Sequence, residues 1–174
     1  KWGVSNYHYI VIPQMKAGED NLKELKIERP LTYSYLSKFK DELLSRKSKW
    51  FKGGTKPFYS LFGIGDYTFE EFKVVWCCMS YKPDFAVVSS VSDDFISNKK
   101  YIPDNTIGYL SFNNEKEAHY VCAVLNSQIV TENFELRSSK SKWGISIDMV
   151  NSIPIKKFDQ TNKIHNKLSA LSTV

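Results

Sequence analysis

Apolar and polar positions alternate in blocks along the chain. "YHYIVI", Tyr7 to Ile12, is rich in aromatic and β-branched residues and stops at Pro13, which predicts a strand. After a charged connector, Pro30 opens "LTYSYLSKFKDELLSRK", where Leu36, Phe39 and Leu43 recur at helical spacing. A helix over roughly 31–47 is predicted, with Pro30 at its start. "FYSLF" reads as a short strand, "GIGDY" as a turn whose glycines can take positive φ, and "KVVWCCM" as a mostly buried strand. "FAVVSSV" and "IGYLSF" read as further strands, separated by a polar loop from Ser92 to Asn105.

The clearest element is "NNEKEAHYVCAVLNS". Ala118, Val121, Cys122 and Leu125 share one face, and Asn114 and Glu117 stand at capping-box spacing. Ile153-Pro154 reads as a short strand, and a last helix places Ile164, Leu168 and Leu171 on one face. Mostly adjacent strands with interspersed helices indicate a mixed α/β or α+β fold, a curved mixed β-sheet with a few flanking helices. There is no internal repeat and no low-complexity segment.

Length and composition narrow this picture. A chain of 174 residues is read as a single domain over 1–174, and at that size it buries roughly 70% of the surface its unfolded form exposes. Hydrophobic content of 42% with 14% aromatic residues excludes a disordered segment. Cys77, Cys78 and Cys122 form neither an even disulfide set nor a metal-ligand spacing, so they are expected as buried, reduced thiols in a cytoplasmic protein. The chain starts without Met or a basic leader and apolar core, and no apolar run approaches about 18 residues. A soluble piece of a longer polypeptide is expected, with no membrane partner.

Charge changes the picture more. Lys and Arg number 24 against 19 Asp and Glu, a net +5. Between Arg46 and Lys56 lie Lys47, Lys49 and Lys52, no acid, and the rings of Trp50 and Phe51. In "RSSKSKWG", Arg137, Lys140 and Lys142 stand among serines beside Trp143, again without an acid. Cations interleaved with aromatics and small residues suit a polyanion; neither stretch has the apolar face of a membrane-surface helix. Arg46, Lys49, Lys52 and Lys56, with Arg137, Lys140 and Lys142, are therefore candidate nucleic-acid contacts. Tyr59 and Tyr67 join them because each has a hydroxyl to place, whereas Phe58, Phe62, Phe69 and Phe72 are expected in the core.

Catalytic constellations are sparse. Gly63-Ile64-Gly65 lacks the third glycine and the following helix of a dinucleotide loop. Glu71-Phe72-Lys73 precedes Pro83-Asp84, the reverse of the usual nuclease order. His8, His119 and His165 are isolated, His119 beside a core face, and Asp93-Asp94 reads as a solvated turn. No Ser, His and Asp cluster has a local signature.

The blocks "YLSKFKDELLSRKSKW", "PFYSLFGIGDYTFEEFKVVW", "IPDN", "EAHYVCAVLNS" and "IPIKKFD" resemble, in this order, the C-terminal target-recognition domain of adenine-specific DNA methyltransferases. They are similar to the TaqI-like specificity domains of single-chain methyltransferases and bifunctional restriction-modification enzymes. The resemblance runs from about Pro30 to Leu171. It implies a module with no transfer chemistry of its own and no cofactor, whose partners are double-stranded DNA and a separate catalytic methyltransferase domain. That other domain would bind S-adenosylmethionine and carry an Asn-Pro-Pro-Tyr-type motif, and no Asn-Pro-Pro run occurs here.

Two other functions are compatible with the residues. One is a stand-alone nuclease using Asp66, Glu71 or Asp94 with a divalent metal. The other is a basic interaction module that docks an acidic protein or the rest of its parent polypeptide.

Overall fold

The computed structural model describes residues 7–52, 54–80, 82–137 and 143–173. The chain clusters into two compact units that meet in sequence at Thr68 and Phe69.

The N-terminal unit is helical and irregular. α1 (Leu22–Glu28) lies in the charged connector, and α2 (Pro30–Ser37) follows at once. Pro30 has no N–H to give to a preceding turn, so α1 ends before it and α2 starts on it, as its position predicts. The single helix expected over 31–47 is broken. Ser37 Oγ donates to the Tyr33 carbonyl at 2.7 Å, and the amides of Lys38 and Phe39 close tighter bonds on Tyr35 and Leu36. That back-bonding bends the chain before α3 (Lys40–Leu44).

Two predicted strands of this unit are absent. Tyr7 to Ile12 joins no ladder among the described residues, and "FYSLF" forms turns. β-propensity expresses itself only against a neighbouring strand, and none is supplied here. A polar core takes its place. The Gln14 amide oxygen accepts from Leu61 N at 3.1 Å, and its nitrogen donates to Ser60 Oγ at 3.3 Å and to the Glu19 carbonyl. Asn21 donates to the Pro13 carbonyl at 2.6 Å. Leu25 and Ile64 are buried with them, and Gly63 takes φ +69° in the predicted turn.

The C-terminal unit is built on β1 (Phe72–Cys77), which runs antiparallel between β3 (Phe85–Val88) and β6 (Ile107–Phe112). β2 (Met79–Ser80) pairs with β7 (Trp143–Gly144), and β4 (Ser90–Asp93) with β5 (Ser97–Lys100). Mixed α+β composition is thus as expected, but the described strands form three separate antiparallel sheets in place of one mixed sheet. The short connections from β1 to β3 and from β4 to β5 favour antiparallel pairing there, because a parallel pair would need a long crossover. Half of the expected polar loop is the β4–β5 hairpin, whose turn is held by Asp93 Oδ1 accepting from Phe95 N at 2.8 Å and Ile96 N at 3.1 Å.

α4 (Glu115–Leu125) covers one face of the three-stranded sheet and matches its prediction closely. Asn114 Oδ1 caps it by accepting from Glu117 N at 3.1 Å, and Ala118, Tyr120, Val121, Cys122 and Leu125 are buried. Asn126 then bonds both backbone groups of Phe85, accepting from its N at 3.0 Å and donating to its carbonyl at 2.8 Å. The "LNS" block therefore fastens the end of α4 to β3. α5 (Gln128–Arg137) and α6 (Ile147–Asn151) were not predicted; they contribute Val130, Phe134 and Val150 to the core.

Trp76 anchors that core. Its indole N–H donates to the Ile145 carbonyl at 3.0 Å, and its ring occupies the space over Gly108, its cross-strand partner. Lys73, on the same strand, is fully buried and donates to the Glu70 carbonyl at 2.7 Å, and burial lowers its pKa.

α7 (Lys163–Leu171) corrects a prediction. Ile164 and Leu171 are 68% and 64% exposed, while His165 and Ser169 are buried and Leu168 packs on the core. His165 is suited to burial because Nδ1 accepts from Asp159 N at 3.0 Å while its ring lies 4.6 Å from that of Tyr120. Ile153-Pro154 is not a strand. Cys77 is exposed, contrary to expectation, because it sits at the end of β1; Cys122 is buried in α4. Among the described residues no helix is long and apolar enough to cross a membrane.

Candidate nucleic-acid interface

The basic stretch after α3 is an ordered platform. Two overlapping turns, Phe51 N to the Ser48 carbonyl at 3.1 Å and Lys52 N to the Lys49 carbonyl at 3.2 Å, fold the backbone on itself. Within them Trp50 and Phe51 meet edge to face, with centroids 4.7 Å apart. Aromatic pairs favour that geometry because the positive edge of one ring meets the negative face of the other.

Each ring also carries a cation. The Arg46 guanidinium carbon lies 3.7 Å from the centre of Phe51, and the Lys56 ammonium lies 4.8 Å from that of Trp50. The stem of Lys56 and the indole of Trp50 close over Gly18, which takes φ +76°. A side chain at Gly18 would stand 3.3 Å from Lys56 Cδ in a backbone conformation that L-residues avoid.

Arg46 is turned inward. Nε donates to the Leu43 carbonyl at 2.6 Å, Nη1 to that of Ser60 at 2.8 Å and Nη2 to that of Phe58 at 2.6 Å. Burial lowers its pKa, yet the guanidinium is far too basic to lose its charge. Arg46 thus ties the end of α3 to the 58–60 segment through all three of its nitrogens.

Lys49 and Lys52 are exposed, as is Lys47. None of the three forms an ion pair among the described residues. Lys56 is half-buried against Trp50. The platform therefore holds its rings and Arg46 in place and presents three lysines to solvent.

The candidate aromatics sort differently from expectation. Tyr59 is 2% exposed, and its hydroxyl donates to Asn21 Oδ1 at 3.1 Å. Its phenol pKa is pushed up to about 12, first by burial and then by the nearby Asp20. It is a core residue, and the expected surface role is corrected on that ground. Phe62 is the converse. Expected in the core, it is 68% exposed, with its ring centroid 5.4 Å from that of Trp50. Tyr67 is 48% exposed and lies across Gly65, where an added Cβ would come within 2.9 Å of its ring. Phe58 and Phe72 are partly buried, as is Phe69.

The second basic stretch belongs to the C-terminal unit. Arg137, at the end of α5, is exposed and donates to Ser152 Oγ at 2.7 Å. Lys140 and Lys142 lie outside the described residues.

No three His, Cys, Asp or Glu side chains gather in metal-binding geometry among the described residues. Glu71 pairs with Lys100 at 3.3 Å, and Asp66 begins the short 3-10 turn Asp66–Phe69. Asp94 is exposed at the β4–β5 hairpin. His119 is partly buried against Ser172 Oγ at 3.1 Å, and burial lowers its pKa.

No family model matches the chain. It is 35% identical over 126 residues to the Type II methyltransferase M.NspV of Nostoc sp.. The match takes in 71% of this chain and 24% of that protein, so the chain spans about a quarter of the length of the curated relative it matches. By sequence, the chain is related to part of a type II methyltransferase.

Proposed function

We propose that this chain is the sequence-reading module of an adenine-specific DNA methyltransferase in a restriction-modification system. It holds the duplex while a separate domain, loaded with S-adenosylmethionine, methylates the adenine. The observation that carries this reading is the 46–56 platform: rings and Arg46 locked in place, with Lys47, Lys49 and Lys52 left without ion-pair partners among the described residues. The relationship to a type II methyltransferase supports the same assignment.

The physical division of labour is direct. A methyltransferase that acts on a base must take it out of the stack, so another surface has to grip the surrounding duplex. Lysines on a fixed platform neutralise phosphates and set the register, while side chains that reach base edges supply sequence discrimination. Lys49, Lys52 and Lys56 act here as phosphate contacts, joined by Arg137, Lys140 and Lys142 from the second stretch. Arg46 acts as the residue that holds the platform together.

The test is a salt titration of duplex binding. With about six phosphate contacts, the slope of log affinity against log salt should be about −5. Changing Lys49 and Lys52 to Glu should weaken binding to every duplex sequence and make the slope shallower by about 2. Unchanged affinity and slope would refute the reading. Incubation of plasmid with the chain and magnesium separates it from the nuclease alternative, which requires cleavage.

A further inference from the structure

We infer that Phe62 is a base-stacking wedge, a ring held out from the platform to lie against an unstacked nucleobase of the bound duplex. The inference rests on the DNA-binding reading above and adds to it a contact that is apolar and insensitive to salt.

The backbone on either side of Phe62 is pinned. Tyr59 and Ser60 are buried, and the Ser60 carbonyl accepts from Arg46 at 2.8 Å. The next amide, Leu61 N, donates to Gln14 Oε1 at 3.1 Å. Immediately after the ring, Gly63 reverses the chain with φ +69°. These ties leave the phenyl ring 68% exposed, although phenylalanine is among the residues most often buried.

The ring packs against Trp50 in a T-shaped pair, with centroids 5.4 Å apart and planes at 71°. Trp50 is itself backed by Phe51, the Lys56 ammonium and the bare backbone of Gly18. An aromatic support thus carries an outer, exposed ring against which a flat ligand can lie.

The surroundings identify the ligand. The stretch that supports the ring has lysines at 47, 49, 52 and 56 and no acid. The nearest carboxylate in sequence to Gly18 is that of Glu19, which accepts from its own neighbours, Met15 N at 3.1 Å and Lys16 N at 3.2 Å. An exposed apolar ring set among unneutralised cations matches a nucleic acid, whose phosphates meet the lysines and whose bases offer aromatic faces. Proteins that distort duplexes insert apolar side chains at base steps in this way.

The experiment uses the 174-residue chain, a fully paired duplex and the same duplex with one mismatched 2-aminopurine, whose fluorescence reports stacking. Phe62→Ala should bind the mismatched duplex about tenfold more weakly than the unaltered chain, the loss expected for one stacked base. It should keep the same salt slope and thermal midpoint, since the ring is exposed and uncharged. Phe62→Trp should restore affinity and show quenched emission on binding. Equal affinity and equal 2-aminopurine signal for the unaltered chain and Phe62→Ala, with binding still abolished by Lys49→Glu and Lys52→Glu, would overturn the wedge and leave the DNA-binding reading intact. Failure of the unaltered chain to bind either duplex at low salt would overturn both.

Discussion

The guanidinium carbon of Arg46 lies over the ring of Phe51, 3.7 Å from its centre, while the three nitrogens of the group hold the carbonyls of Leu43, Ser60 and Phe58. One side chain thereby joins the end of α3, the aromatic turn and the segment that carries Phe62. The nitrogens that made Arg46 a candidate DNA contact are bonded inside the unit. The lysines beside it are left for solvent, which is why they and not Arg46 form the proposed interface.

Replacing Arg46 should therefore cost stability more than it costs direct DNA contact. Arg46→Ala removes several hydrogen bonds from a charged donor and leaves carbonyls without it, a loss of about 2–3 kcal/mol. Arg46→Lys should recover little, because an ammonium cannot reproduce the planar fork. Urea unfolding of the three proteins checks this; full recovery by lysine would show that charge alone matters at this position.

Gly108 is constrained by Trp76. A Cβ at Gly108 would stand 2.3 Å from the indole ring, and that indole is tied to the Ile145 carbonyl. Gly108→Ala should destabilise the C-terminal unit by about 3 kcal/mol, at the upper end of overpacking costs. Near-ultraviolet circular dichroism of the tryptophans, followed through thermal unfolding, reads the effect. A midpoint equal to that of the unaltered chain would contradict the packing described.

Tyr59 makes stability depend on pH at the alkaline end. Its phenol pKa is raised from 10.0 to about 12 by burial, so the folded state favours the neutral form. The unfolded state loses this proton first. The contribution is complete below pH 10 and is lost as pH rises through about 12. Burial raises the pKa of the Tyr120 phenol as well, so ultraviolet titration should find late-titrating tyrosines of which the Tyr59 component, at about pH 12, is missing in Tyr59→Phe, and unfolding of that variant should be flatter over the same window. A late component that is undiminished in Tyr59→Phe would assign the shift elsewhere.

Some of this architecture was legible in the residues. β1 and β6 read as strands because their apolar, β-branched runs are bounded by turns. α4 read as a helix because its apolar face, its cap at Asn114 and its length agree with one another. The split of the 31–47 helix was hidden, since a single Ser37 back-bond outweighs a pattern that otherwise continues. The β4–β5 hairpin was hidden for another reason: its β5 strand, Ser97–Lys100, is exposed throughout and has no apolar alternation to announce it.

The site shows the same division. Sequence alone determined that cations, rings and glycines would be concentrated between Arg46 and Lys56, because composition is local and needs no neighbour. It also determined the turn at Gly63 and the start of a helix at Pro30, since backbone constraint resides in the residue itself. Which aromatic faces water was decided by tertiary structure: Tyr59 is buried because Asn21, distant in sequence, meets its hydroxyl, and Phe62 is exposed because Arg46 and Gln14 hold the backbone beside it. The face of α7 was decided in the same way, where Tyr120 and Asp159 give His165 a place that Ile164 does not find. Burial depends on what the rest of the chain brings into contact, and that information is non-local.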